Sequence, residues 1–210
     1  MVHGITIDAN GVSRCAWPGD DELYIEYHDK EWGYPEGDDK KLFEKICLEG
    51  FQAGLAWITI LRKREHFREA FYNFDFDRIS KYGEKEIQVL KSNAGIVRHE
   101  GKIRSVINNS HRAKELIIEK GSLKNYFWYF SQFVTEDLYD EIPAKTSLSE
   151  AISKDLKDRG WTWVGPTTVY SFMQATGIVN DHHRECDIHK IVQSKRISFM
   201  QSLQGVLKNL

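Results

Sequence analysis

The sequence predicts an all-α fold. Three observations carry that expectation: apolar residues recur at helical spacing in several segments, β-branched alternation is scarce, and capping residues stand where those segments begin. Asp38 and Asp39 can cap a helix whose Leu42, Phe43, Ile46 and Cys47 fall on one stripe. Gly50 and Gly54 are expected to interrupt it, and Trp57, Ile58, Ile60 and Leu61 resume an apolar face running toward Phe67 and Phe71. Ser147 followed by Glu150 reads as a capping box for a helix bearing Ile152 and Leu156 and stopped at Gly160. Pro166 suits the first turn of the next helix, which carries Val169, Phe172 and Met173 before Gly177. The stripe of Ile188, Val192, Phe199, Leu203 and Leu210 predicts an amphipathic helix at the end of the chain.

Composition bounds the function classes. A chain of 210 residues suits one domain, and 41% hydrophobic with 12% aromatic residues is globular rather than disordered. No apolar run approaches the ~20 residues that span a bilayer, so no membrane segment is expected. Residues 1–14 hold no apolar block ahead of a cleavage site, which argues against a secretory signal. Cys15, Cys47 and Cys186 form an odd, sparse set, expected in a reducing compartment (here the cytoplasm) rather than in a disulfide scaffold. With 29 basic against 31 acidic side chains, the net charge of −2 excludes a protein that holds nucleic acid by bulk charge. A local basic face is still open. Arg98, Lys102, Arg104, Arg112 and Lys114 stand against Glu100 alone between residues 98 and 114, which reads either as a solvated helix face or as a contact to a duplex backbone.

Three constellations carry possible chemistry. Cys15 and His28 near the start, with His182 and Cys186 near the end, offer two thiolates and two imidazoles, enough to close a tetrahedral Zn²⁺ shell and staple the two ends. On a helix, His182 and Cys186 would share one face as i and i+4 neighbours; His183 is a competing ligand, and accidental pairing of scattered Cys and His is the plainer alternative. Glu49 falls in register with Leu42, Ile46 and Ala53, so it is expected to point inward, where a lone carboxylate costs several kcal/mol unless something answers it. A basic neighbour could do so; so could a flat cationic ligand, since Trp17, Tyr24, Tyr27, Trp32, Tyr34 and Trp57 are dense in the same part of the chain. Lastly, residues 160–168 join two expected helices through a tight turn. Gly165 there allows close backbone approach, and the free amides that follow suit a phosphate, although an ordinary turn would read the same way.

These residues match a known pattern. Arg14-Cys15-Ala16-Trp17, Tyr27-His28-Asp29-Lys30-Glu31-Trp32-Gly33 and the run from Cys47 to Trp57 (CLEGFQAGLAW) are followed by the run from Val164 to Ala175 and by Gly177-Ile178-Val179-Asn180-Asp181-His182. On these blocks, which span residues 14 to 186, the chain resembles the DNA-3-methyladenine glycosylase I family of helix-hairpin-helix repair enzymes. Residues 1–13 and 187–210 lie outside the resemblance and read as an N-terminal extension and a C-terminal amphipathic helical extension around a glycosylase domain at 14–186.

The resemblance implies a helix-hairpin-helix glycosylase-like helical domain that flips N3-methyladenine out of alkylated double-stranded DNA and hydrolyses its N-glycosidic bond, releasing free 3-methyladenine. It implies a structural Zn²⁺ on Cys15, His28, His182 and Cys186. It gives catalytic roles to Glu49 and Tyr27 and base-binding roles to Trp57, Trp17 and Trp32. Gln52, Gly54 and Leu55 match the loop that fills the vacated space, and Gly165 and Thr167 match the phosphate-binding hairpin. Phe51 departs from the pattern, standing where a second polar residue beside Gln52 is expected. Asp181 sits where the wider superfamily carries a catalytic aspartate, a use not expected of this family. A monomer is expected. The competing class is a non-catalytic, zinc-stapled nucleic-acid-binding module in which the acid and the aromatics are structural; a hydrolase of free nucleosides is disfavoured by the hairpin.

Overall fold

The computed structural model describes residues 4–134 and 142–207. A two-stranded antiparallel hairpin, β1 (Ile5–Ile7) and β2 (Ser13–Cys15), comes first, with Ile5 opposite Cys15. Among the described residues ten α-helices follow: α1 (Glu22–Lys30), α2 (Asp39–Gln52), α3 (Trp57–Ala70), α4 (Phe76–Ile79), α5 (Glu84–Ser92), α6 (Glu100–Lys120), α7 (Leu123–Tyr129), α8 (Ser147–Asp158), α9 (Pro166–Ala175) and α10 (Asp187–Leu207). The fold is therefore mostly helical, as expected, with one short hairpin that the sequence reading did not include. Three-residue strands are too short for period-two alternation to register; a turn closes them instead, in which the Asp8 carboxylate accepts the N–H groups of Asn10 and Val12.

Two helices organise the rest. α2 starts on Asp38, whose side chain accepts the Lys41 N–H, and packs against α3, α6, α7 and α9. Being covered on most sides, it buries every residue from Leu42 to Phe51, Glu44, Lys45 and Glu49 included. α6 lies against α2, α4, α5 and α7 and buries Ile103, Val106, Ala113 and Leu116. Trp128 of α7 is fully enclosed and donates its indole N–H to the Glu36 carbonyl at 2.7 Å.

Several boundaries differ from the sequence reading. Gly50 does not break α2, which continues to Gln52; it is small because a Cβ there would come within 3.3 Å of the Trp163 carbonyl oxygen in the α8–α9 turn. The break falls at Gly54, in the left-handed region at φ +84°. The α8 cap is Thr146 paired with Ser149, one residue ahead of the expected box at Ser147 and Glu150. Pro166 opens α9 as expected. His182 and Cys186 do not share a helix face: both lie in the turn before α10.

The C-terminal stripe is integral to the body. α10 buries Val192 and Leu203, sets the Phe199 ring 4.7 Å from Trp128, and ties back to the first hairpin through the Asp187 carboxylate, which accepts the Ser13 N–H at 2.8 Å. Leu210 lies outside the described residues. No helix among the described residues is long and apolar enough to cross a membrane. Phe199→Ala is expected to lower the unfolding free energy by about 2 kcal/mol in denaturant titrations, whereas a loosely attached tail would leave it unchanged.

Candidate active site and metal centre

Three elements far apart in sequence bring four residues together in a Cys/His cluster. Cys15 closes β2, His28 lies in the last turn of α1, and His182 and Cys186 come from the turn before α10; all four are buried and their ligand atoms lie within 4.8 Å of one another. His182 Nδ1 stands 3.2 Å from His28 Nε2, 3.9 Å from Cys15 Sγ and 3.8 Å from Cys186 Sγ, and His28 Nε2 is 3.7 Å from Cys186 Sγ. A tetrahedral ion with ordinary zinc–sulfur and zinc–nitrogen bonds would separate its ligands by about 3.3 to 3.8 Å.

The outer nitrogens are also answered. His28 Nδ1 donates to the Asp29 carboxylate at 2.7 Å, and His182 Nε2 donates to the Trp32 carbonyl at 2.9 Å, which leaves the facing nitrogens as lone pairs. The hydrogen bond from Cys15 pulls the Cys186 thiol far below its usual pKa despite burial. The residues fit a metal ion. His183 takes no ligand position; its backbone N–H donates to Cys15 Sγ. Asp29 is the partner that sequence reasoning missed, and its signal was its place directly after a candidate ligand.

Glu49 lies one turn from the end of α2, 4% exposed. Among the described residues its carboxylate makes no hydrogen bond or ion pair. Lys45, one turn earlier, is committed elsewhere: with Arg64 it holds Glu31, at 2.9 and 2.6 Å. Burial works against the Glu31 charge, yet those two cations hold that carboxyl down at about 2. Glu49 receives no such help, and burial pushes it up to about 8 against the weaker pull of Lys45. The expected basic partner of Glu49 does not exist among the described residues.

Tyr24 and Tyr27 lie close enough to feel this acid and belong to a cluster of aromatic rings. Tyr27 is buried with Trp57 at 5.6 Å and Trp17 at 6.5 Å, and Trp17 meets Tyr24 at 4.7 Å and Trp32 at 5.1 Å. Both tyrosines feel the Glu49 charge: burial first and Glu49 second push Tyr24 to about 12 and Tyr27 well above its usual value. The indole N–H groups of Trp17 and Trp57 are buried without a hydrogen-bond partner. One acid and two donors are thus left unanswered by the protein, each at a cost of about 1–3 kcal/mol unless a ligand or water supplies the partner. Trp32 stands behind Trp17, its ring against His28 and His182, and so joins this nest to the Cys/His cluster. A groove of about 1170 Å³ lies beside α10 and another of about 460 Å³ is lined by Tyr27, Glu31 and Lys45; Glu49 lines neither.

The turn after α2 presents Leu55, 38% exposed, beside exposed Gly54 and half-buried Gln52. Gln52 braces it, donating its side-chain amide to the Leu55 carbonyl and accepting the Leu55 N–H on its own carbonyl, both at 2.6 Å. Phe51 points the other way, its ring 4.6 Å from Phe67 in the core, which accounts for its apolar character. Gly165 caps α9 without a side-chain bond, a Cβ there would meet nothing within 4 Å, and Thr167 is exposed in the first turn. Asp181 is locked by the Tyr170 hydroxyl at 2.6 Å and the Gln174 amide at 2.8 Å.

Little of the basic run from Arg98 to Lys114 is left over for a duplex. Arg104 pairs with Glu84 and Glu100, Arg112 with Glu115 and Lys114 with Asp77. Lys102 turns inward instead, donating to the Phe51 and Ala53 carbonyls.

Comparison with known proteins agrees with this arrangement. The methyladenine glycosylase family profile matches residues 17–190. The Escherichia coli DNA-3-methyladenine glycosylase 1 is 47% identical over 179 residues, covering 83% of this chain and 96% of that protein. A crystal structure of 3-methyladenine DNA glycosylase I superposes with a TM-score of 0.79 at 47% identity, covering 84% of this chain and 99% of that one. A tyrosine-to-phenylalanine variant of a 3-methyladenine DNA glycosylase I, solved in complex with 3-methyladenine, gives a TM-score of 0.79 at 32% identity, with 84% and 97% coverage.

The charge state of Glu49 has a measurable signature. An unfolded glutamate ionises near pH ~4.3, whereas the folded chain keeps this proton up to about pH 8. The folded state therefore binds the extra proton across that window, and the Glu49 contribution to stability declines as pH rises through it. Glu49→Gln is expected to match the parent near pH 5 and to exceed it by about 3 kcal/mol at pH 9 in denaturant unfolding. Parallel pH profiles would show that the carboxylate is answered in solution.

Proposed function

The chain belongs to the methyladenine glycosylase family, and we propose that it is a DNA-3-methyladenine glycosylase that removes N3-methyladenine from alkylated duplex DNA by hydrolysis. The observation that carries this reading is the buried, unpartnered Glu49 beside Tyr24 and Tyr27, whose rings cluster with those of Trp17 and Trp57.

The target lies inside the stack, so the nucleotide must first be extruded. Leu55, at the exposed tip braced by Gln52 with Gly54 allowing the turn, fills the vacancy, and the free amides at the Gly165–Thr167 start of α9 take a phosphate. In this reading α8, the turn and α9 are the helix-hairpin-helix. N3-methylation makes the base cationic and a good leaving group, so the chemistry asks little of a general acid. The C1′–N9 bond breaks, its electron pair neutralises the departing base, and water adds its oxygen to C1′ and loses a proton.

The task left to the protein is discrimination. Trp57 and Tyr27 each offer a ring face to a cation, worth roughly 0.5–2 kcal/mol apiece. The sequence reading takes Glu49 as an ionised acceptor; in the empty nest burial favours its protonated form near neutral pH. Arrival of a cationic base supplies the missing opposite charge, and ionised Glu49 then accepts from the exocyclic amine. Neutral adenine supplies no such charge and leaves the burial cost unmet. Trp17 and Trp32 complete the wall, and Trp32 also anchors it to the cluster.

That cluster is best read as a Zn²⁺ site on Cys15, His28, His182 and Cys186. Two thiolates and two imidazoles fill four positions, so a bound ion would act as a cross-link between β2, α1 and the turn before α10 and take no part in the reaction. Buried free thiols of this kind suit a reducing compartment such as the cytoplasm.

Labelled 3-methyladenine release from alkylated duplex DNA tests the enzymatic reading. Glu49→Gln is expected to cut release by at least about a hundredfold while the protein stays folded; unchanged release would leave Glu49 without a function and favour the non-catalytic binding module. Purified protein should carry about one zinc per chain, and Cys15→Ala should lose it with a markedly lower melting temperature. A folded, metal-free preparation would remove the zinc site.

A further inference from the structure

Lys102 is a buried lysine facing backbone rather than an acid. Its Nζ donates to the Phe51 carbonyl at 2.8 Å and the Ala53 carbonyl at 2.6 Å, the free carbonyls at the end of α2 where the Gln52–Leu55 turn begins. The same ammonium sits 5.1 Å from the centroid of the Trp163 ring, in the turn between α8 and α9. Trp163 is 38% exposed and holds a left-handed φ of +58°, a conformation unfavourable for a bulky side chain. Its ring is edged by His99, the cap of α6, at 5.3 Å. The same helix holds the backbone of this turn: Asn109 exchanges two hydrogen bonds with Thr162, at 2.9 Å each, and Asn108 donates to the Gly160 carbonyl at 2.8 Å.

We propose that Lys102 is a positioning residue for base extrusion, fixing the Leu55 turn and the Trp163 hairpin in one register through the start of α6. The inference rests on the reading of those two segments as the vacancy-filling and phosphate-binding elements. Loss of this strut leaves Glu49 and its rings in place but lets the two DNA-facing turns move independently, so only duplex substrate feels it. Trp163, held in an unfavourable backbone conformation with one ring edge exposed, adds an aromatic contact to the same face.

The test compares Lys102→Met, which keeps the stem and removes the donors, with the parent. Excision kcat/KM on alkylated duplex is expected to fall at least about tenfold while the Kd for free 3-methyladenine, read by calorimetry, stays within about twofold. Should Lys102→Met fail to fold, Trp163→Asn provides the second arm. Asparagine tolerates the left-handed backbone, leaves the carbonyl bonds of Lys102 intact, and is expected to show the same split between duplex and free base. Excision at the parent level in a folded variant, or an equal loss of free-base affinity, overturns the proposal. A parent protein that releases no 3-methyladenine instead overturns the functional reading itself, and the two failures are told apart by that control.

Discussion

An ionisable acid enclosed without a partner is the constraint around which this structure is arranged. Natural cores pair buried charges or avoid them, since an unanswered carboxylate costs more than one hydrogen bond returns. α2 shows both habits within ten residues. Glu44 is gripped by Arg68 and Lys45 by Glu31, while Glu49, on the same helix, is left to the aromatic rings. The exception lies beside a cluster that also leaves the indole donors of Trp17 and Trp57 unanswered. Under the proposed function, selectivity for a positively charged purine follows from electrostatics rather than from shape, because a ligand that brings charge offsets the cost already present.

Such a site needs a rigid surround, and the chain supplies it through contacts distant in sequence. The Cys/His cluster draws together residues 15 and 186, and Trp32 transmits that fixity to the nest through its carbonyl on His182 and its ring against Trp17. α6 in turn holds the Leu55 turn through Lys102 and the Trp163 turn through Asn108 and Asn109. The acid is thus bracketed by two independent braces, one made of side-chain ligands and one of buried polar groups on a single helix.

The parts legible in the sequence were those set by local periodicity. The inward direction of Glu49 follows from its register with Leu42 and Ile46, and the α9 start follows from Pro166, because both depend on neighbours within a turn or two. The β1–β2 hairpin was not legible, being shorter than any period it could display. Nor was the fate of the basic run: its apparent excess of charge is consumed by Glu84, Asp77 and Glu115, two of which lie on other elements. Lys102 read as one more surface cation, since nothing local reports that the end of α2 lies above it. His182 and Cys186 were placed together for the wrong local reason, a helix, and meet through a turn instead. The charge state of Glu49 depends on which neighbour Lys45 chooses, and that choice is made by tertiary packing.

α10 carries a consequence for how this sequence can change. Residues 191–207 lie beyond the stretch matched by the family profile, yet Phe199 sits against Trp128 and its ring tip would be 2.7 Å from any Cβ placed at Gly37. A side chain at Gly37 would have to evict Phe199 from that ring. The last helix has therefore tied an early glycine to a late phenylalanine, an epistatic bond under which a substitution neutral in a homologue lacking that ring carries a cost here.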